Sequence, residues 1–140
     1  GCKDADIAHL NAKIGDRCDI EVIEDYALLA LQGPAAVAVM ARYAAPVRHM
    51  SFMSAAELHI SDIPCFVTRS GYTGEDGVEF SVPVDAAEDV ARLLLDEPEV
   101  EAAGLGSRDS LRLEAGLCLY GSDITETTTP TEAGLLWSIS

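Results

Sequence analysis

The sequence predicts an α+β domain, a mostly antiparallel sheet with helices on one face. Three observations carry that expectation. Short apolar runs come in hairpin-like pairs, helical stripes are partly segregated from them, and the composition is rich enough to build a core. The chain has 140 residues, 49% of them hydrophobic and 24% charged. That is a single-domain size, at which roughly 68–70% of the unfolded surface is buried. Disorder is excluded by the same balance.

DADIAHLNAKIG carries Ile7, Leu10 and Ile14 on a helical stripe, with Gly15 as its stop. CDIEVIED and YALLALQG follow as a predicted hairpin, with Glu24 and Asp25 at the turn. In the first run Ile20 and Val22 share one face while Glu21 and Ile23 share the other. GPAAVAVMARYAAP reads as a helix that is apolar almost all round, opened by Pro34 and closed by Pro46. Residues 54–60 and 63–69 form a second hairpin around Ser61 and Asp62, and VEFSVPV is the last strand. DAAEDVARLLLDEP offers a capping box, Asp85 with Glu88, and a stripe of Val90, Leu93 and Leu94. GLGSRDSLRLEAGLCLYG reads as a short helix capped by Ser107, ahead of a threonine-rich loop. Residues 18–115 make the most compact α+β unit. No repeat, low-complexity tract or linker interrupts the chain.

Charge removes several functional classes. Nine basic against 24 acidic residues give a formal net charge of -15, which argues against nucleic-acid and anionic-membrane partners. Cys2, Cys18, Cys65 and Cys118 show neither CxxC nor metal-ligand spacing. They read as buried thiols of a reducing compartment. His9, His49 and His59 lie far from them, so no metal site is expected. No apolar run reaches the roughly 20 residues of a membrane span. The chain opens without a methionine and stops inside the apolar LLWSIS, so it reads as a piece of a longer protein, cut through a strand.

The chemistry gathers at residues 70–80, SGYTGEDGVEF. Glycine-rich loops usually cradle anions, yet this one holds Glu75, Asp76 and Glu79. A ligand here should bring donors. Glu79 alternates with the apolar Val78, Phe80 and Val82. On its own it is a solvated strand carboxylate; functionally it is a fixed acceptor for two parallel N–H groups, such as an amino-pyrimidine edge offers. Tyr72 is either a plug over the sheet end or an aromatic wall for the ligand. Glu75 and Asp76 are turn residues. Arg108 and Arg112 fall on one helical face, as ordinary ion-pair partners or as a local receptor for a carboxylate. The GxxGxxG spacing is not that of a dinucleotide loop, and no GxSxG, HExxH or P-loop is present. Composition and spacing stop at an acidic α+β domain that binds a polar heterocycle.

Four blocks go further. LLALQGPAA, SGYTGEDGVEFSVP, GLGSRDSLRLEAGLCLYGSDI and TTPTEAGLLWSI resemble, in order, the signature blocks of the glycine cleavage system T-protein family, the aminomethyltransferases. The match extends over most of the chain, as a middle third of such a protein. The resemblance implies transfer of a methylene unit from the aminomethyl-lipoyl arm of a partner, the lipoylated H-protein, to tetrahydrofolate as acceptor substrate, with release of ammonia. It places the family's folate-binding glutamate on Glu79, its folate-binding arginine on Arg108 and a pocket tyrosine on Tyr72. Arg108 would meet either the ligand ring system or its glutamyl carboxylate, with Arg112 beside it.

The family's catalytic aspartate would lie upstream of Gly1, so no catalytic residue is assigned to this stretch, and by itself it is expected to lack transferase activity. The family's folate-binding unit is similar to two interlocked halves, each with two strands, a helix, three strands and a helix; residues 18–115 match one half. Such a half is expected to dimerise through its exposed sheet surface. The alternative is a folate-binding domain of a dimethylglycine or sarcosine oxidising enzyme, or of an iron–sulfur assembly factor. EAGLCLYGSDI departs from the KGCYxGQE-like stretch of that factor. The setting is bacterial cytoplasm, or the mitochondrial matrix in a eukaryote.

Overall fold

Four strands form one antiparallel sheet in the order β1-β4-β3-β2: β1 (Tyr26–Gln32), β2 (Ala55–Ile60), β3 (Ile63–Thr68) and β4 (Gly77–Pro83). With them are the helices α1 (Lys3–Ile14), α2 (Ala36–Tyr43), α3 (Ala87–Leu95) and α4 (Leu105–Glu114). This computed structural model describes residues 2–139; Gly1 and Ser140, the ends on which the cut-piece expectation rests, lie outside the described residues. Among the described residues no helix is long and apolar enough to cross a membrane.

Alternation along each strand decides what is inside. Val78, Phe80 and Val82 of β4 are paired with Leu31, Leu29 and Ala27 of β1, and Phe80 also with Val67 of β3. These side chains share one face. Ala36, Val39 and Met40 of α2 and Val90 and Leu94 of α3 join that face in a single core cluster. Met40, Val39, Phe80, Ile60 and Val90 are fully buried there. Burial of side chains this size is worth about 1.5–3 kcal/mol each, so helices this short are held by the sheet more than by propensity. Because β1 and β2 are opposite edges, α2 carries the chain across the inner face. On the outer face Leu28 is 68% exposed.

The β2–β3 hairpin forms as expected, with Ile60 opposite Ile63 and Ser61 in the left-handed region at φ 56. The first hairpin does not. CDIEVIED stays outside the sheet, with Val22 40% and Ile23 49% exposed. It carries apolar groups on both faces, so pairing beside β1 would bury one set and leave the other in water. The unit is therefore one strand, helix, three strands and helix, where two leading strands were expected.

Helix starts also differ. A 3-10 turn at Val84–Ala86 takes up Asp85, Ala86 becomes the N-cap without a side-chain bond, and Glu88 instead pairs with Arg92 at 2.6 Å. α4 takes Gly104 as its N-cap, which places Ser107 inside its first turn. The terminal LLWSIS holds a 3-10 turn at Leu136–Ser138 instead of a strand. Cys65 is buried, but Cys2 and Cys18 are exposed, so the buried-thiol expectation holds for only part of the set; all four are free. Among the described residues no cluster of His, Cys, Asp or Glu has the arrangement of a metal site.

Two glycines contrast sharply. A Cβ on Gly77 would stand 2.6 Å from the Leu31 carbonyl oxygen, whereas one on Gly106, in α4, would meet nothing within 4 Å. Gly77→Ala should therefore lower unfolding stability by about 1–3 kcal/mol. Gly106→Ala should raise it by about 0.5–1 kcal/mol. Urea titrations of the two variants check the pair; equal midpoints would contradict it.

Candidate functional site

The loop between β3 and β4 is built around a side chain from β1. Gln32 Nε2 donates to the carbonyls of Ser70 (3.0 Å) and Val78 (3.1 Å), and its Oε1 accepts from Thr73 Oγ1 (3.3 Å). Gly71 and Gly77 flank this amide: a Cβ on Gly71 would lie 1.8 Å from Gln32 Oε1, and one on Gly77 2.7 Å from Nε2. Those glycines are small because an amide occupies the space. Gly74 has a different reason, a φ of +79 and an approach in which a Cβ would stand 2.5 Å from Ala115 Cβ.

The loop's negative charge is used internally at one position. Arg69 Nε and Nη2 donate to the two oxygens of Asp76 at 3.1 and 2.6 Å, and Arg69 Nη1 donates to the Met50 carbonyl at 2.9 Å. Asp76 Oδ1 also accepts from the Gly77 N–H at 2.9 Å. The Arg69 guanidinium therefore holds the Asp76 carboxyl below the ordinary aspartate range, and its own pKa rises. Glu75 is exposed, as a turn residue should be.

Glu79 lies on the outer face, at the middle of the sheet between Ala30 of β1 and Thr68 of β3. Ser70 Oγ donates to Glu79 Oε2 at 2.9 Å and lies 2.7 Å from Thr68 Oγ1. The carboxylate is half-buried, tethered by one oxygen, and its Oε1 has no hydrogen-bond partner among the described residues. Leu28, Ser81 and Phe66 continue the same face, and Tyr26 and Phe66 have ring centroids 5.8 Å apart. An acceptor with spare lone pairs is thus set in a partly apolar surface.

Tyr72 points from the loop toward α4. Its hydroxyl donates to the Cys118 carbonyl, and Arg108 Cζ lies 5.5 Å from its ring centroid, within cation–π range. Arg108 is exposed and lines a cavity of about 630 Å³ with Leu29, Leu31, Val39, Leu94 and Leu111. Arg112, in contrast, is only 6% exposed. Its Nε donates to Asp109 Oδ1 at 2.8 Å, and its Nη1 to Asp123 Oδ2 at 2.7 Å and the Leu117 carbonyl at 3.3 Å. It clasps the end of α4 to the following turn, so the expected pair of same-facing arginines resolves into one exposed cation and one committed one. Asp123 is held below its ordinary range by the Leu119 N–H and then by Arg112.

Glu79 and Arg108 do not line a common hollow. The Arg108 cavity opens on the Phe80 side of the sheet, and adjacent strand residues point to opposite faces. The two are linked instead through the loop, since Ser70 touches Glu79 and Tyr72, two residues on, touches Arg108. Sequence reasoning missed Gln32, Ser70 and Asp123. The one visible signal was an amide closing the apolar run YALLALQ.

Residues 1–140 match the family model of the GCVT N-terminal domain. The chain is 52% identical to the mitochondrial aminomethyltransferase of Canis lupus familiaris, the alignment covering 99% of this chain and 36% of that protein. It is 50% identical to the Homo sapiens protein of the same name, again over 99% of the chain and 36% of the relative. Its backbone matches the crystal structure of glycine cleavage system aminomethyltransferase T from Bartonella henselae with a TM-score of 0.84 at 46% identity, covering 100% of this chain and 38% of that one. The chain thus spans little more than a third of the length of these relatives.

Acid should open both clasps in a defined window. Asp76 and Asp123 have depressed folded-state pKa values. Their contributions are complete above the unfolded value of about 3.9 and are lost as pH falls through the lower folded values. Amide NMR shifts of Gly77 and Leu119, which donate to these carboxylates, should therefore titrate with midpoints below about 3.9. Midpoints at or above that value would contradict the assignment.

Proposed function

This chain belongs to the family of the GCVT N-terminal domain, and on that footing we propose that it is the folate-gripping part of a tetrahydrofolate-dependent aminomethyltransferase. In this reading the intact protein receives an aminomethyl group from the lipoyl arm of the H-protein. It passes the methylene unit to tetrahydrofolate and releases ammonia. The name aminomethyltransferase, shared by relatives at 44–52% identity, favours transfer over a folate-binding domain of an oxidising enzyme or iron–sulfur assembly factor.

The observation that carries the reading is the Glu79 carboxylate, tethered by Ser70 through one oxygen on the open sheet face. An ionised carboxylate only accepts, and the pterin edge of folate offers two parallel N–H donors. The tether orients the acceptor before the ligand arrives, which reduces the ordering cost of binding. Tyr72 supplies the aromatic wall of the same loop. Arg108, on the other side of the loop and free of carboxylate partners among the described residues, suits the glutamyl carboxylate at the far end of the ligand. In a chain of net charge -15, an anionic tail needs such a local cation. Arg112 we assign to holding α4 in place, which positions Arg108 one turn away.

The compartment follows the host: the mitochondrial matrix in a eukaryote, a reading supported by relatives named as mitochondrial, and cytoplasm in a bacterium. The exposed outer face, with Leu28 and Phe66 uncovered, is the surface through which the isolated 140-residue chain would pair with a second copy. Sedimentation equilibrium should then return a mass near twice 14.8 kDa; a monomer at every concentration sampled would remove that proposal.

Calorimetric titration of the full-length protein with tetrahydrofolate tests the site. Glu79→Ala should cost about 1.5–3 kcal/mol of binding, the value of hydrogen bonds to a charged group. Unchanged affinity would return Glu79 to a solvated strand carboxylate.

A further inference from the structure

Gln32 belongs to β1, yet its amide sits inside the β3–β4 loop. Both of its Nε2 bonds go to carbonyls that bracket the loop, Ser70 at its start at 3.0 Å and Val78, just inside β4, at 3.1 Å. Its Oε1 receives the hydroxyl of Thr73, which is itself buried and accepts from the Glu75 N–H at 3.3 Å. One side chain therefore fixes the beginning, the middle and the end of the loop. The fit is steric as well as polar, because a Cβ at Gly71 would fall 1.8 Å from Oε1 and one at Gly77 would fall 2.7 Å from Nε2. Backbone bonds from β1 to this loop do not repeat the same work: the Gly33 N–H reaches only the Asp76 carbonyl, at 2.8 Å.

What the loop carries makes the amide consequential. Ser70, whose carbonyl Gln32 holds, donates its hydroxyl to Glu79 at 2.9 Å. Tyr72 lies between Ser70 and Thr73, both bonded to Gln32, and its ring stands against Arg108 at 5.5 Å. We propose that Gln32 is a positioning residue: it acts through the loop to set the Ser70–Glu79 tether and the Tyr72–Arg108 contact without touching ligand itself. This rests on the folate reading above for its functional consequence, but the loop-setting role stands on geometry alone.

Gln32→Glu tests it. The substitution keeps the shape and turns both donor bonds into oxygens facing carbonyl oxygens, which is unfavourable for a group in a tight seat. In the full-length protein, hydrogen exchange should quicken across residues 70–78 while α2 and the β2–β3 hairpin keep native protection. Tetrahydrofolate affinity should fall about tenfold or more at a temperature where the variant is wholly folded. A role in packing alone would leave that folded-state affinity in place. Gly71→Ala approaches the same contact from the other side, with Gln32 intact and the substituted residue exposed on the loop; it must give the same pattern even where Gln32→Glu does not fold.

Native exchange in the loop for a folded Gln32→Glu, or for Gly71→Ala, would overturn the proposal. Quickened exchange with unchanged affinity would also overturn the positioning role, provided that Glu79→Ala in parallel weakens binding. If Glu79→Ala leaves affinity unchanged as well, the failure belongs to the folate reading, and quickened exchange still supports the loop-setting role.

Discussion

The period of two along β4 is the constraint from which the rest follows. β4 is central, paired on both sides over its length by β1 and in part by β3. Its backbone is therefore committed, and each side chain has only a choice of face. Phe80 takes the core side and Glu79 the open side. A slip of one residue would drive a carboxylate into the core, where an unpaired charge costs far more than any hydrogen bond returns. The burial of Val78, Phe80 and Val82 thereby holds Glu79 in place. Core packing and site geometry are two faces of one strand.

The acidic loop resolves once the carboxylates are separated by partner. Asp76 is closed on Arg69, which also grips the Met50 carbonyl ahead of β2. Asp123 is closed on Arg112 and the Leu119 N–H. Both are acceptors that fasten the chain to itself. Glu79 differs because its tether is a neutral hydroxyl, so its charge is not offset by a guanidinium within the described residues. With Asp76 closed on Arg69, its charge adds little repulsion to a ligand at Glu79, while Glu75 of the same loop stands exposed in solvent. The same division applies to the cations, with Arg69 and Arg112 engaged and Arg108 left against the Tyr72 ring.

Local periodicity made most of the fold legible. The β2–β3 hairpin announced itself through alternating runs around Ser61 and Asp62, and the α3 stripe through Val90, Leu93 and Leu94. CDIEVIED shows where that reasoning ends: alternation says a segment can be a strand, not that an edge awaits it with cover for both faces. Capping was misread for a related reason, since Asp85 and Ser107 had the right chemistry and the chain turned elsewhere. In the site, Glu79, Tyr72 and Arg108 were singled out through adjacency and a resemblance of motifs. Gln32 could not be, because its partners lie 38 and 46 residues away, and nothing local distinguishes an amide that closes a strand from one that organises a loop. For Arg112 the ion-pair alternative is the one the structure shows, through the nearby Asp109; its second partner, Asp123, lies beyond the helix in a stretch with no periodicity and could not be read locally.

The open sheet face then bears on the strength of the site. Hydrogen bonds to a carboxylate are weakened by water competing for the same lone pairs, and they strengthen as the surroundings become less polar. Around Glu79 the outer face is mostly apolar or hydroxyl-bearing: Ala30, Leu28, Phe66, Thr68 and Ser81. With that face open, Leu28 stays 68% exposed and the acceptor is only half-buried. Anything that covers these residues, whether more polypeptide or the flat ring of a ligand, removes apolar surface from water and dries the carboxylate in the same step. Burial alone would disfavour the charge. Two matched donors arriving together with the cover offset that cost, whereas cover without donors leaves an unpaired anion. A surface of this kind would discriminate by coupling a non-directional gain to a directional demand: a ring that stacks but cannot donate would be disfavoured by the carboxylate it buries.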